Sequence, residues 1–371
     1  MAYQNVGTPR FYIDQIQYLN SMGVDYEGFD PSLFTLDPIT PKLFLEQGDN
    51  YHKDLIISAN LSRIINRQST PGGDGGSTGS NYLAILNHNI GLGQTGAPGG
   101  VLNDNSFRFG VINNYDAFES MGNKEEVLNF DTTGWNTPFD NLVNGCSILL
   151  GALMPNIYTE TTTIRFDEVT MQEDAYAGAL SIGTYYDMPH SPDLDLSMTI
   201  EFDGYDSVQT LGGSTLTNVR YSGSPWWFDK DGNQVEPWSV GLNPPYQPIT
   251  ITKRTGRRNW NLKFSYISDK DLFAPNDMFN NYIQTLEGYT AGDDYWDVSY
   301  PSFYYRLGGH DSFIGQVLYK VGNGQKFIFQ PDNTNNNPDQ FAICVLDQSS
   351  LSIKQVAYKV YDISLKIREV W

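Results

Sequence analysis

The sequence predicts a mostly β protein: two β-sandwich, jelly-roll-like units with a few short helices. Three observations carry that expectation. Apolar and polar residues alternate over several stretches, the two-residue period that sends side chains to opposite faces of a strand. Aromatic residues make up 14% of the 371-residue chain, and aromatic side chains favour strands and contact surfaces. Clusters of Gly, Pro, Asn and Asp cut the apolar runs into strand-length pieces. The length exceeds one ordinary core and points to about two domains of ~150 residues. The divisions are drawn as an N-terminal arm over 1–50, a jelly-roll-like β-sandwich over 51–205, and a second β-rich domain with two short helices over 206–371.

Within the arm, Asn5 to Pro9 forms a turn. From Phe11 to Met22 two patterns compete. Ile16 and Leu19 stand at helical spacing with Gly23 as the stop, while Phe11 and Ile13 fit a strand. Pro31, Pro38 and Pro41 then keep the chain extended, so that it either packs on its own domain or reaches a neighbour. Leu55-Ile56-Ile57 has strand length. The tract from Pro71 to Gly79 has the composition of a flexible surface loop. Tyr82 to Ile90 is apolar at both parities and predicts a strand buried on both faces, ahead of a second Gly-rich loop over 91–100.

Alternation is clearest in mid-chain. Thr162, Ile164 and Phe166 share one face, opposite Thr163, Arg165 and Asp167. Leu194, Leu196, Met198, Ile200 and Phe202 predict a half-buried strand that ends at Asp203-Gly204. Further on, Trp226 to Val235 reads as a hairpin turning at Asp231-Gly232. Trp260, Leu262, Phe264 and Tyr266 form one strand face. One helix is expected from the stripe Met278, Phe279, Tyr282, Ile283 and Leu286. Another is expected from Phe313, Val317, Leu318 and Val321, with Asp311 as N-cap and Gly322 as stop. Strands follow over 326–329 and 341–346. In the last strand Ile363, Leu365 and Ile367 point opposite to Ser364, Lys366 and Arg368.

A formal net charge of −20 repels phosphate backbones and anionic lipid, so neither nucleic acid nor membrane is the expected partner. It also keeps an aromatic-rich surface soluble. Cys146 and Cys344 both lie in apolar runs and read as buried thiols, with a disulfide or metal pair as the alternative. The opening AYQNVGTPR has neither basic region nor apolar core, which predicts synthesis in the cytoplasm without a signal peptide.

No motif carries catalytic chemistry. Gly91-Leu-Gly-Gln-Thr-Gly96 spells a dinucleotide fingerprint, but Ala97-Pro-Gly-Gly100 follows it where the mechanism needs a helix N-terminus. His52, His88, His190 and His310 make no metal-ligand spacing. No nucleophile elbow occurs, and acidic pairs such as Asp293-Asp294 are expected at this charge. Neither an enzyme nor a cofactor is therefore expected. Asp229-Lys-Asp231-Gly-Asn233 resembles half a calcium loop, but its sixth position is Gln234 and its twelfth Val240, so a hairpin turn is the plainer reading. Trp226 and Trp227 flank it and would stack on sugars or proteins if exposed. His88 and Asn89 close a strand beside a Gly-rich loop. These six, Trp226, Trp227, Asp229, Asp231, His88 and Asn89, are the candidate ligand-binding residues, each with a packing or turn role as its plain alternative.

Several of these stretches resemble a known family. Tyr82-Leu-Ala-Ile-Leu-Asn-His-Asn-Ile90, its Gly-rich turn and Ser106-Phe-Arg-Phe109 resemble the opening of the discoidin or galactose-binding-like jelly rolls found in tailed-bacteriophage virion proteins. Ala179 to Tyr185 looks like the strand that closes that module. Phe327-Ile-Phe-Gln-Pro-Asp332, Asp339 to Ile343 and Leu365-Lys-Ile-Arg-Glu369 are similar to the ends of phage tail and virion proteins. The resemblance spans half the chain and rests on strand and turn patterns. It implies a virion structural component: a tail, adaptor, fibre or decoration subunit. Its partners would be copies of itself and other virion proteins. The alternative it implies is a carbohydrate-binding or receptor-binding module whose partner is a host-surface glycan.

Overall fold

The computed structural model describes residues 6–38, 42–46, 49–59, 61, 81–88, 107–113, 126–130, 145–151, 161–170, 174–202, 205–219, 256–273, 312–322, 324–335 and 340–370. In chain order its strands are β1 (Arg10–Asp14), β2 (Tyr26–Glu27), β3 (Lys42–Leu45), β4 (Asp49–Ile57), β5 (Asn81–His88), β6 (Phe107–Asn113), β7 (Glu126–Phe130), β8 (Gly145–Gly151), β9 (Thr162–Thr170) and β10 (Ala175–Ala177). They continue with β11 (Ala179–Asp187), β12 (Ser197–Glu201), β13 (Tyr205–Gln209), β14 (Thr215–Val219), β15 (Arg257–Ser268), β16 (Phe327–Gln330), β17 (Ala342–Leu346), β18 (Ile353–Ala357) and β19 (Val360–Glu369). The helical segments among the described residues are α1 (Gln15–Ser21), a 3-10 turn Pro31–Phe34 in place of the extended chain expected at Pro31, α2 (Asp269–Leu272), and α3, a π-helical turn Ile314–Leu318 that runs into Tyr319–Val321.

The fold is mostly β and antiparallel, as expected. Ten strands make one sheet in the order β12-β15-β19-β17-β16-β1-β11-β5-β8, with β18 also paired to β19. A five-stranded sheet runs β2-β4-β9-β6-β7, and β3–β10 and β13–β14 are two-stranded. The large sheet runs unbroken past residue 205. Its joint is β1, from the segment read as an arm: Tyr12 lies opposite Tyr185 of β11 on one side and Ile328 of β16 on the other. Phe11, Tyr12 and Ile13 are all fully buried. A strand apolar at both parities satisfies both faces only inside a sheet.

Three apolar cores follow. On one face of the large sheet, Leu83, Ile85, Leu180 and Ile182 pack against Leu55, Ile57, Ile164 and Phe166 of the five-stranded sheet, a sheet-on-sheet sandwich. Farther along that face, Trp260, Leu262, Phe264, Phe327 and Leu365 are covered by Phe313, Ile314, Val317 and Val321 of α3. The opposite face holds the third core, with Tyr12, Tyr82, Ile148, Ile328 and Phe341.

The competing patterns over 11–22 are both present, in succession. The change falls at Asp14, which ends β1 and caps α1: its Oδ1 accepts hydrogen bonds from the Ile16 and Gln17 N–H groups at 2.8 and 3.0 Å. Gly23, with φ +85°, terminates the helix in the left-handed conformation. Strand β5 is buried on both faces from Tyr82 to Leu86, and Ile363, Leu365 and Ile367 point inward as their alternation requires.

Two strand faces differ from expectation. Tyr266 is 77% exposed, with φ +63°, because a bulge between Phe264 and Ile267 shifts the register and turns Ile267 inward in its place. Over 194–202, of which only Ser197–Glu201 is strand β12, Leu196 and Met198 pack against the core, while Leu194, Ile200 and Phe202 are exposed. Among the described residues β12 is the outermost strand of the large sheet, and the buried side chains of its face stop at Met198. Helix α3 buries Phe313, Val317 and Val321 as its stripe predicts. The hairpin expected over 226–235, the helix over 278–286, the Gly-rich loops over 71–79 and 91–100, and Asp311 lie outside the described residues.

Candidate functional site

Of the six candidate ligand-binding residues, His88 alone is among the described ones. It ends β5, opposite Gly145 and just past a register shift, and is buried. Trp226, Trp227, Asp229, Asp231 and Asn89 lie outside the described residues. Cys344 is a fully buried core side chain. Among the described residues no three His, Cys, Asp or Glu side chains converge on one point, and no helix is long and apolar enough to cross a membrane.

The interior carries charge that the sequence reading passed over. Arg258 and Glu369 are 2% and 1% exposed. The guanidinium donates to both carboxylate oxygens, at 3.0 and 3.1 Å, and to the Phe341 carbonyl at 2.9 Å, while the Arg258 backbone N–H donates to Glu369 at 3.0 Å. Arg258 also stacks 5.1 Å from the Trp260 ring centroid. The signal was present: Arg258 continues the inward parity of Trp260, Leu262 and Phe264, and Glu369 that of Ile363, Leu365 and Ile367. Two further forked pairs, Arg10–Asp187 and Arg165–Asp54, join residues directly opposite on neighbouring strands. Such pairs fix register, since a slip of one residue would separate each fork from its carboxylate.

Between the first two cores, Gln316 Oε1 accepts from the Thr184 hydroxyl at 3.3 Å and from the buried Lys320 ammonium at 3.1 Å. On the opposite face, Asp14 is fully buried beneath Tyr82 and Ser181. Those two hydroxyls share a 2.7 Å hydrogen bond, and Asp14 Oδ2 is left with no hydrogen-bond partner. Burial pushes the Asp14 carboxyl up to about 7, and the Gln17 N–H, the nearby Ser181 hydroxyl and the Ile16 N–H offset that only in part.

The surface shows the converse. Strands β13 and β14 form a hairpin closed through Gly213, φ +82°, with Thr210 and Ser214 bonded backbone to backbone at 2.8 Å. Val208 and Leu216 lie directly across from each other, each 63% exposed, and Leu211 at the tip is fully exposed. With Leu194, Ile200 and Phe202 they put six large apolar side chains in water within the stretch 194–216. An isolated two-stranded hairpin is marginal in water by itself.

A second surface feature is a cleft of about 390 Å³ between α1, the turn Pro31–Phe34 and residues 324–326. Tyr26 and Phe34, edge to face at 4.8 Å, form its aromatic wall. Gln17, Asn20 and Ser21 line it from α1, and Gln325 and Lys326 from the far side. The helical residues lie on the polar side of the α1 stripe. Nothing in the sequence pairs them with a segment some 300 residues away.

The chain matches no protein-family model, no curated protein and no solved structure.

Proposed function

We propose that this chain is a non-enzymatic structural subunit of a tailed-bacteriophage virion, made in the host cytoplasm, which works by packing against copies of itself and other virion proteins. The observation that carries the reading is the stretch 194–216, an edge strand and a hairpin that expose apolar side chains on a protein whose net charge is −20. Soluble monomers seldom gather such residues without a partner. Covering a Val or Leu side chain is worth roughly 1.5–3 kcal/mol before association costs. Among the described residues β12 ends its sheet, and a sheet edge offers backbone donors and acceptors to a second chain. The virion assignment draws on the strand and turn resemblance at Tyr82–Ile90, Phe327–Asp332 and Leu365–Glu369.

The test is the mass of the purified chain across a concentration series, together with its presence in particles. The expected result is a closed oligomer of fixed stoichiometry, reduced to monomer by Val208→Asp with Leu216→Asp. A chain that stays monomeric at every concentration and is absent from particles overturns the reading.

A further inference from the structure

One face of the large sheet gathers positive charge on a chain that is otherwise strongly acidic. Strands β15, β18 and β19 hold seven of the 23 Lys and Arg but two of the 43 Asp and Glu, a net +5 that leaves −25 on the other residues. Arg258 and Glu369 cancel inside the core. By strand alternation Arg257, Lys263, Lys366 and Arg368 point away from Trp260, Leu262 and Leu365. Lys354, directly opposite Asp362, shares their side. Asn259, Asn261 and Ser364 lie between them. Lys263, Lys354 and Lys366 are exposed. Among the described residues neither the Lys354 nor the Lys366 ammonium has a hydrogen-bond or ion-pair partner. The face is mixed in sign, however. Glu201 holds Arg368 at 3.0 Å, Asp193 holds Lys263 at 3.5 Å, and Asp362 accepts from the Tyr266 N–H at 3.1 Å. A polyphosphate would meet those carboxylates as like charges, whereas a protein surface can interleave both signs.

The chain carries the complement itself. Between residues 25 and 46 stand Asp25, Glu27, Asp30, Asp37 and Glu46, all exposed, against Lys42 as the one cation. Strand β2 in this stretch belongs to the five-stranded sheet, which packs on the other face of the large sheet, over β5 and β11. One copy therefore turns its cationic face and its acidic stretch toward different neighbours. We propose that the cationic face of β15, β18 and β19 docks the acidic stretch 25–46 of a second copy of this chain, with Lys354 and Lys366 as its unpaired cations. Such a contact is head-to-tail, and it closes into a ring where the rotation between copies allows. Like net charges repel two copies at a distance, but past the Debye length of ~8 Å at physiological salt that repulsion is largely screened. Local pairing then decides the contact. The proposal rests on the reading that the chain packs against its own copies, and it adds an ionic contact to the apolar one at 194–216.

The test is sedimentation velocity of the full-length chain over a concentration series. Raising sodium chloride from about 0.15 to about 0.5 M should weaken association. Lys354→Glu with Lys366→Glu should weaken it about tenfold at the lower salt. Asp25→Lys with Glu27→Lys should weaken it as much, even though that pair lowers the net charge. All four changes in one chain should restore it, because both sides of the contact are then reversed. The four side chains are exposed, so circular dichroism and thermal unfolding of each variant should match the parent. Association that ignores salt and both charge reversals overturns the proposal and leaves the apolar contact standing. Weakening by both reversals without recovery in the fourfold variant overturns it too. Retention of double-stranded DNA or heparin by the parent, lost with the two lysines, would give the face to a polyanion and overturn it. A chain that is monomeric under every condition overturns the assembly reading together with this one. Salt-sensitive association that survives Val208→Asp with Leu216→Asp would refute the hairpin contact and support the cationic face.

Discussion

Strand β15 has two flanks, and they break opposite rules of burial. Toward β19, Arg258 and Glu369 hide a full ion pair from water. Toward β12, Ile200, directly opposite Arg258, leaves an apolar side chain exposed. One cross-strand row thus runs from exposed hydrocarbon to buried charge. The buried side is closed: the bidentate fork, the Phe341 carbonyl and the Arg258 backbone N–H use the groups that would otherwise carry the desolvation penalty. The exposed side is open, with Phe202 and the Val208–Leu216 pair in the same stretch. Charge inside can be satisfied within one chain, but hydrocarbon outside is satisfied only by another surface.

The closed side should break hardest. Glu369→Ala leaves a guanidinium buried without its partner and should cost about 3–5 kcal/mol in urea unfolding. Arg258→Met combined with Glu369→Leu should recover most of that loss, because two apolar groups need no partners. Next comes Asp14. Its folded carboxyl keeps its proton to about pH 7, whereas in the unfolded chain it releases it near 4. Between those values the unfolded state holds fewer protons, so this group makes stability fall as pH rises from ~4 to ~7, with no further loss above. Asp14→Asn keeps a capping side chain and should flatten that slope, gaining up to about 4 kcal/mol at pH 8. Gly183→Ala should cost about 1–3 kcal/mol, since an added Cβ would stand 1.9 Å from the Ile13 carbonyl where β1 and β11 meet. Smallest of all, Val208→Asp with Leu216→Asp should move unfolding by no more than about 0.5 kcal/mol while abolishing association. That pairing of effects separates a contact surface from a core.

Strand periodicity was legible wherever a face is continuous, as at Ile363, Leu365 and Ile367 or at Thr162, Ile164 and Phe166. It failed where a local event re-aims the face. The bulge at Tyr266 leaves no compositional mark, and the exposure of Ile200 goes with β12 being outermost among the described strands, a property of sheet order and not of sequence. The segment over 10–14 looked like part of an arm because prolines follow it. Its role as the joint of the large sheet depends on partners at 183–187 and 328–330, which no local pattern names. The buried pair was readable by carrying the inward parity one step beyond the last apolar residue, to Arg258 and Glu369. The cleft was not, because its two walls are joined only by the closed fold.

Backbone hydrogen exchange over residues 194–219, measured at low and at high protein concentration, tests the central claim most directly. If this edge and hairpin are a contact surface, their amides should exchange freely when the chain is dilute and gain protection of tenfold or more as it is concentrated, while amides of β16 and β17 stay slow throughout. Equal exchange at both concentrations would contradict the account.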